Sequence, residues 1–396
     1  MSLPLDGVRV LAVEQYGAGP YASMFLAQLG AEVIKIENPA TGDFSRQTGP
    51  HFLPDGDSLF FQTFNLNKRA IALDLKAADG VAILHALVAT ADVVLNNLRG
   101  DQPEALGLDY AALKAIRPAI VCAHLSAYGR SNERAAWPGY DYLMQAEAGF
   151  LSLTGEPEAP PARFGLSMVD YMAGMMLAFA TVSAVLKART TGEGGDVDVS
   201  LFDAALHQLT YPATWYLNTG AITGRAPRSA HPSITPSQLL RTADGWIFIM
   251  AQMPKFYSAL CERIGRPELV GDPRFATMAD RLANREALTR ELDATLSTRT
   301  TAAWMALLAG AIPCAPVHDL AQALDNPFVA SGGMVETVSH PAADALRVLA
   351  SPIRLDGARP PAQVAPRLGQ DTDAVLGALG LAPERIADLR ARGVIA

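Results

Sequence analysis

Cysteine is scarce in this chain: Cys122, Cys261 and Cys314 are the only three in 396 residues, and no CxxC or HExxH spacing accompanies them. That argues against a disulfide framework and against a bound metal, and reads the thiols as small buried hydrophobes in a reducing cytosol. Charge is sparse too, at 18%, and acidic residues outnumber basic ones by 40 to 32, for a net charge of −8. A broad electrostatic grip on nucleic acid or an anionic membrane is therefore not expected, and any phosphate must be met by local groups. The N-terminus has no basic stretch followed by a long apolar run, and the longest apolar stretch, Met172 to Leu186, carries Gly, Thr and Ser. Neither export nor a membrane span is expected, and the chain reads as cytoplasmic.

Half of the residues are apolar, enough to bury large cores in two domains. Short β-rich runs alternate with helical patterns from Val8 to His124: strands at Val8–Val13, Glu32–Ile36, Ile71–Leu73, Val93–Leu95 and Ile120–His124, with helices between them. This rhythm calls for an α/β fold with a doubly wound parallel sheet. Met168 to Ala188 reads as a buried helix, with Ala173, Gly174, Ala178 and Ala180 permitting close approach, followed by a strand from Asp196. The Gly, Pro, Arg and Ser content of 218–236 marks a linker, so the first domain is expected to end near residue 220. A smaller α+β unit follows, then a Pro-rich tail from Pro341 to Pro366 and a short helix at Asp373–Leu379.

Several positions carry two readings. Gly17-Ala18-Gly19-Pro20 follows a strand and opens a helix, so it is either a phosphate-facing helix N-terminus or a tight turn. Arg46, Lys68 and Arg69 lie on loops of a doubly wound fold, where anions are often held, or are solvated surface charges. Asp170 opens the buried helix: it is an N-cap, or a carboxylate that the helix end keeps ionised in an apolar site and that can act as a covalent nucleophile. His124 and His207 read as core or hydrogen-bonded histidines, and His231 as a site-lining candidate.

An ordered set of segments runs nearly end to end: Leu5-Asp-Gly-Val-Arg-Val10, Leu29-Gly-Ala-Glu-Val-Ile-Lys-Ile-Glu37, Gly42-Asp43 with Arg46, Asn65-Leu-Asn-Lys-Arg69, Ala91-Asp-Val-Val-Leu-Asn-Asn97, Gly139-Tyr-Asp141 and Ile312-Pro-Cys-Ala-Pro-Val317. The set resembles the class III CoA-transferases, the family that includes formyl-CoA transferase and carnitine CoA-transferase, with α-methylacyl-CoA racemase as a sister branch. The resemblance implies transfer of coenzyme A between carboxylic acids through acyl-aspartyl anhydride and aspartyl-CoA thioester intermediates, with Asp170 as nucleophile and no permanently bound cofactor. It implies that Tyr140 and Asp141 orient the donor, unless they are only a packed Tyr and a capping Asp. It also implies that Gly17, Ala18, Lys68, Arg69, Leu73, Lys76, Asn97 and Leu98 lie along the CoA path. The implied assembly is an interlocked, ring-like homodimer, with a large domain built from 1–220 and the returning segment 331–396, and a small α+β domain at 221–330.

The racemase branch needs a histidine where this chain has Tyr140, so α-carbon isomerisation is the alternative and transfer is favoured. Gly17, Pro138 and Ala105 replace a glutamine, a lysine and an arginine of formyl-CoA transferase, which makes formate and oxalate poor expectations. Arg46, Arg163, Arg225, Arg228 and His231 suit a second substrate carboxylate; Tyr211, Trp215 and Tyr216 suit a bulky acid instead.

Overall fold

The apolar runs of the first half become β1 (Arg9–Val13), β2 (Glu32–Glu37), β3 (Arg69–Ala72), β4 (Val93–Asn96), β5 (Val121–Ser126) and β6 (Gly195–Ser200) in a computed structural model that describes residues 2–396. They form one parallel sheet in the order β3-β2-β1-β4-β5-β6. Val10, Leu11, Ala12, Val93, Val94, Leu95, Val121, Cys122 and Ala123 are each 0% exposed, as expected of strands covered on both faces. Val10 of β1 pairs with Val33 of β2 on one side and with Val93 of β4 on the other, and chain order reverses between β1 and β4. Beyond the carboxyl ends of the strands, that reversal opens a crevice where ligands of open α/β sheets bind.

Two compact units emerge. The first comprises residues up to Ala148, Gly165–Leu209 and Phe328–Ala396; the second comprises Gly149–Phe164 and Thr210–Pro327. The division falls at Leu209 instead of near 220. Thr210, at φ 47°, interrupts the helical run, and Tyr211 in the next helix, Thr210–Thr219, stacks on His231 of the second unit. Residues 149–164 also join that unit, where Arg225 donates to the Ala159 carbonyl and Arg228 N–H donates to Glu156 Oε1.

The second unit holds an antiparallel sheet of Ser237–Arg241, Trp246–Met250 and Cys314–Pro316, with its own core around Tyr257, Phe275 and Trp304. In the first unit, the region read as a Pro-rich tail begins with a hairpin, Val335–His340 with Ala343–Leu349. The C-terminal segment returns to β3, where Asp371 and Ala70 exchange backbone and carboxylate hydrogen bonds, each at 2.9 Å.

The long helix Met168–Thr191 ends at Gly192, which adopts the left-handed conformation typical of helix stops. By length and composition it is apolar enough to cross a bilayer. Here its Val169, Ala173, Leu177 and Val185 are buried in the first unit, packed against β5, β6 and helix α1 (Ala18–Gln28).

Candidate active site

The β1–α1 turn is built for close approach. Tyr16 takes φ 69°, and its N–H is held by Asp43 Oδ1 at 3.0 Å. Across the switch point, Gln15 and Asn97 exchange two hydrogen bonds, Gln15 N–H to Asn97 Oδ1 at 2.9 Å and Asn97 Nδ2 to the Gln15 carbonyl at 2.7 Å. A Cβ on Gly19 would lie 2.7 Å from that of Asn97, so only glycine lets the first turn of α1 sit this near. No side chain caps α1 at Gly17, which leaves leading N–H groups and the positive end of the helix dipole toward the cleft.

Charges buried beneath the turn brace it. Lys35 Nζ lies 2.8 Å from Asp43 Oδ2 and donates to the Glu14 carbonyl at 3.0 Å. Lys68 Nζ donates to Glu14 Oε1 at 2.8 Å and to the Pro20 carbonyl at 3.0 Å. Burial works to lower the Lys35 pKa, but the carboxylates of Asp43, Glu14 and Glu37 outweigh it and raise it. For Lys68 burial wins, and the pKa falls to about 8.

Asp170 is the third residue of the long helix, 9% exposed, with Ser167 at the N-cap. One turn on, a Cβ at Gly174 would meet the Ala18 carbonyl oxygen at 2.7 Å, which is why the long helix and α1 can nearly touch here. Asp170 and Gly174 share a helix face, so the carboxylate points at the turn; a Cβ on Gly17 would stand 3.1 Å from Asp170 Oδ2. Asp141 opens the helix Asp141–Glu147 and is buried. Its Oδ2 accepts the Asp170 N–H at 3.0 Å, and its Oδ1 accepts from Gln145 Nε2 at 2.6 Å.

Asp170 is thus neither the N-cap nor a carboxylate held ionised by its helix. Burial, followed by the negative charge of Asp141, pushes its pKa up to about 7. Desolvation and a like charge outweigh the helix end.

Gly17, Ala18, Asn97, Leu98, Tyr140 and Asp170 all line one cleft of about 270 Å³ at the switch point. A second groove, of about 480 Å³, shares Gln15, Leu98 and Gln102 with it and continues past Leu73, Ala105 and the exposed Lys76. Three expected anion-binding side chains are engaged elsewhere. Lys68 is enclosed with Glu14. Arg69, at the amino end of β3, pairs with Glu32 and Asp371, at the end of the sheet opposite the cleft. Arg46 grips Glu37 with two hydrogen bonds, of 2.8 and 2.7 Å, and stacks on Phe61. His231 belongs to the second unit, where its Nε2 lies 3.2 Å from the Tyr211 hydroxyl. Burial and the charge of Arg285 lower its pKa.

Sequence reasoning missed Gln15, Tyr16, Arg99, Ser126 and Trp137 in the cleft wall. It also missed the bracing pair Lys35–Asp43, whose visible signal is a lysine inside the apolar strand EVIKIE. Among the described residues, no cluster of three or more His, Cys, Asp or Glu is placed to hold a metal ion.

Comparison with known proteins gives concordant matches. The family model described as CoA-transferase family III matches residues 5–372. A succinate–glutarate CoA-transferase of Agrobacterium fabrum is 33% identical over 84% of this chain and 84% of its own length. A probable fatty acyl-CoA transferase of Mycobacterium tuberculosis is 35% identical over 89% of this chain and 91% of its own. The crystal structure of a CAIB/BAIF family protein from Brucella suis superposes with a TM-score of 0.84 at 32% identity, covering 96% of this chain and all of that one.

Proposed function

The chain belongs to CoA-transferase family III, and on that premise we propose that it moves coenzyme A from an acyl-CoA thioester to a carboxylic acid, with Asp170 as the covalent nucleophile. The observation that carries this reading is the buried Asp170 carboxylate, set against Gly17 in a cleft at the sheet's switch point.

An Asp170 oxygen attacks the donor thioester carbonyl and expels the CoA thiolate, leaving an acyl-aspartyl anhydride. The thiolate then attacks the aspartyl carbonyl, releasing the donor acid and forming an aspartyl-CoA thioester. The acceptor carboxylate displaces the thiolate to give a second anhydride. Attack of the thiolate on the acceptor's acyl carbon releases the new acyl-CoA and restores Asp170. Each addition places negative charge on a carbonyl oxygen, and the uncapped N–H groups at Gly17–Ala18 are suited to receive it. Anhydrides hydrolyse readily, and a nucleophile only 9% exposed is suited to excluding water.

Tyr140 and Asp141 act by orienting: Asp141 holds the Asp170 backbone, and Tyr140, 66% exposed at the cleft wall, meets the incoming thioester. CoA runs from the cleft past Asn97 and Leu98 into the adjoining groove, with Leu73 beside it and Lys76 as its phosphate contact. The working assembly in this proposal is a cytosolic, interlocked homodimer. The exposed Met175, Phe179 and Leu186 of the long helix offer apolar surface for a second copy.

The test is Asp170→Ala. It should abolish transfer while the protein folds and still binds CoA; turnover above a trace would exclude the nucleophile role.

A further inference from the structure

The Asp170 cleft is poor in usable positive charge. Of the residues lining it, only Arg99 is cationic, and Asp101 holds its guanidinium in a two-pronged bond, Nε to Oδ1 at 2.6 Å and Nη2 to Oδ2 at 2.8 Å. The nearby Arg46 is committed to Glu37 and does not line the cleft. Leu125, Leu201, Trp137 and Tyr140 line the cleft beside the uncharged polar side chains of Gln15, Asn97, Gln102 and Ser126. A second carboxylate brought in here would lose water and would have to compete with Asp101 for Arg99, which disfavours its binding.

The two ends of the cleft differ. Toward Lys76 it continues as the groove assigned to CoA, and Trp137 and Tyr140 line only the part beside Asp170. Trp137 is half-exposed yet fixed: it packs edge-on against Tyr128 at 5.9 Å, and the Arg134 guanidinium stacks on it at 4.7 Å. Arg134 is itself paired with Glu147 and does not line the cleft. A fixed aromatic surface beside the nucleophile suits an apolar acyl body.

We infer that the acid handled by this chain carries a single carboxylate on an uncharged, largely apolar body, and that Trp137 is a specificity-determining residue for it. The inference deepens the CoA-transferase reading and rests on it.

The test compares kcat/KM for acceptors of equal chain length, pentanoate against glutarate and hexanoate against adipate, and for butyryl-CoA against succinyl-CoA as donor. The monocarboxylic member of each pair should be favoured by about 100-fold or more, as expected when a charge enters an apolar site. Trp137→Ala should lower the hexanoate-to-acetate ratio of kcat/KM by about tenfold. Equal or better use of the dicarboxylates, with Asp170 still becoming modified, overturns this inference and leaves the transferase reading standing. A dicarboxylate preference lost in Arg99→Gln would identify Arg99 as the recognising group and overturn it in the same way. No transfer with any pair and no modification of Asp170 overturns both.

Discussion

The backbone N–H of Asp170 donates to Asp141 Oδ2 at 3.0 Å. This bond fixes the first turn of the long helix and sets a second buried carboxylate beside the one that faces the cleft. Asp141 therefore orients Asp170 through its backbone and raises the cost of ionising its carboxyl.

The first consequence is a pH profile. The proposed reaction uses the ionised form of Asp170, whose pKa is raised to about 7, by burial first and by Asp141 second. kcat/KM should rise with pH along an acid limb centred near 7 in the free enzyme. Asp141→Asn removes the like charge but keeps an acceptor for the Asp170 N–H, so the limb should move to lower pH without reaching the ordinary carboxylate range. An unmoved limb would show that Asp141 does not act on Asp170 electrostatically.

Stability carries the same signature with a definite sign. A carboxyl whose folded-state pKa of about 7 exceeds its usual 3.8 holds its proton more tightly when folded. Its contribution is fully present below about pH 4 and is lost as pH rises through 7. Asp170→Asn removes that dependence, so relative to the parent the variant should gain on the order of a few kcal/mol between pH 4 and pH 8. Urea midpoints of both proteins at the two pH values measure it; a constant difference would contradict the assigned shift.

Two glycines separate function from folding. Gly17→Ala places a methyl 3.1 Å from Asp170 Oδ2 and should lower kcat/KM by about 100-fold through misplacement of the carboxylate, with little change in Tm. Gly174→Ala drives a methyl against the Ala18 backbone carbonyl at 2.7 Å and should destabilise by about 1–3 kcal/mol. Thermal melts and steady-state kinetics on both variants distinguish the two effects.

The lysines divide likewise. Lys68→Met takes from the buried Glu14 its nearer ammonium partner, at 2.8 Å, and leaves only Lys35 at 3.9 Å, which should cost about 3 kcal/mol. Lys76→Ala should leave Tm unchanged and raise KM for acyl-CoA about tenfold, through loss of the phosphate contact proposed for this groove residue. A stable Lys68→Met protein that binds CoA poorly would reverse the assignment.

Much of the sheet was legible because covered parallel strands are continuous Val, Ile and Leu runs; β1, β2, β4 and β5 lie within two residues of their expected limits. The hairpin Val335–Leu349 was not, since His340 and Pro341 at its turn and the prolines beyond it read as irregular chain. The helix Thr210–Thr219 was assigned to the first domain, and belongs to the second unit, because a positive φ at Thr210 leaves no trace in hydropathy. In the site, Gly17 and Ala18 were marked by the turn that follows β1, Asn97 and Leu98 by the family resemblance alone, and all four share one cleft. The raised pKa of Asp170 was illegible, because its burial, the larger cause, and the approach of Asp141 from 29 residues away both arise only from tertiary contact. Lys68 and Arg46 misled because their partners, Glu14 and Glu37, are carboxylates at the carboxyl ends of strands whose side-chain directions a sequence does not display.

The most direct test is intact-mass spectrometry of the protein mixed with butyryl-CoA and with succinyl-CoA in separate experiments, trapped with hydroxylamine or borohydride and mapped by peptide. A trapped modification is expected on the peptide carrying Asp170, and none in Asp170→Asn. Transfer that proceeds with Asp170 unmodified, or an adduct on another carboxylate, would contradict Asp170 as the nucleophile.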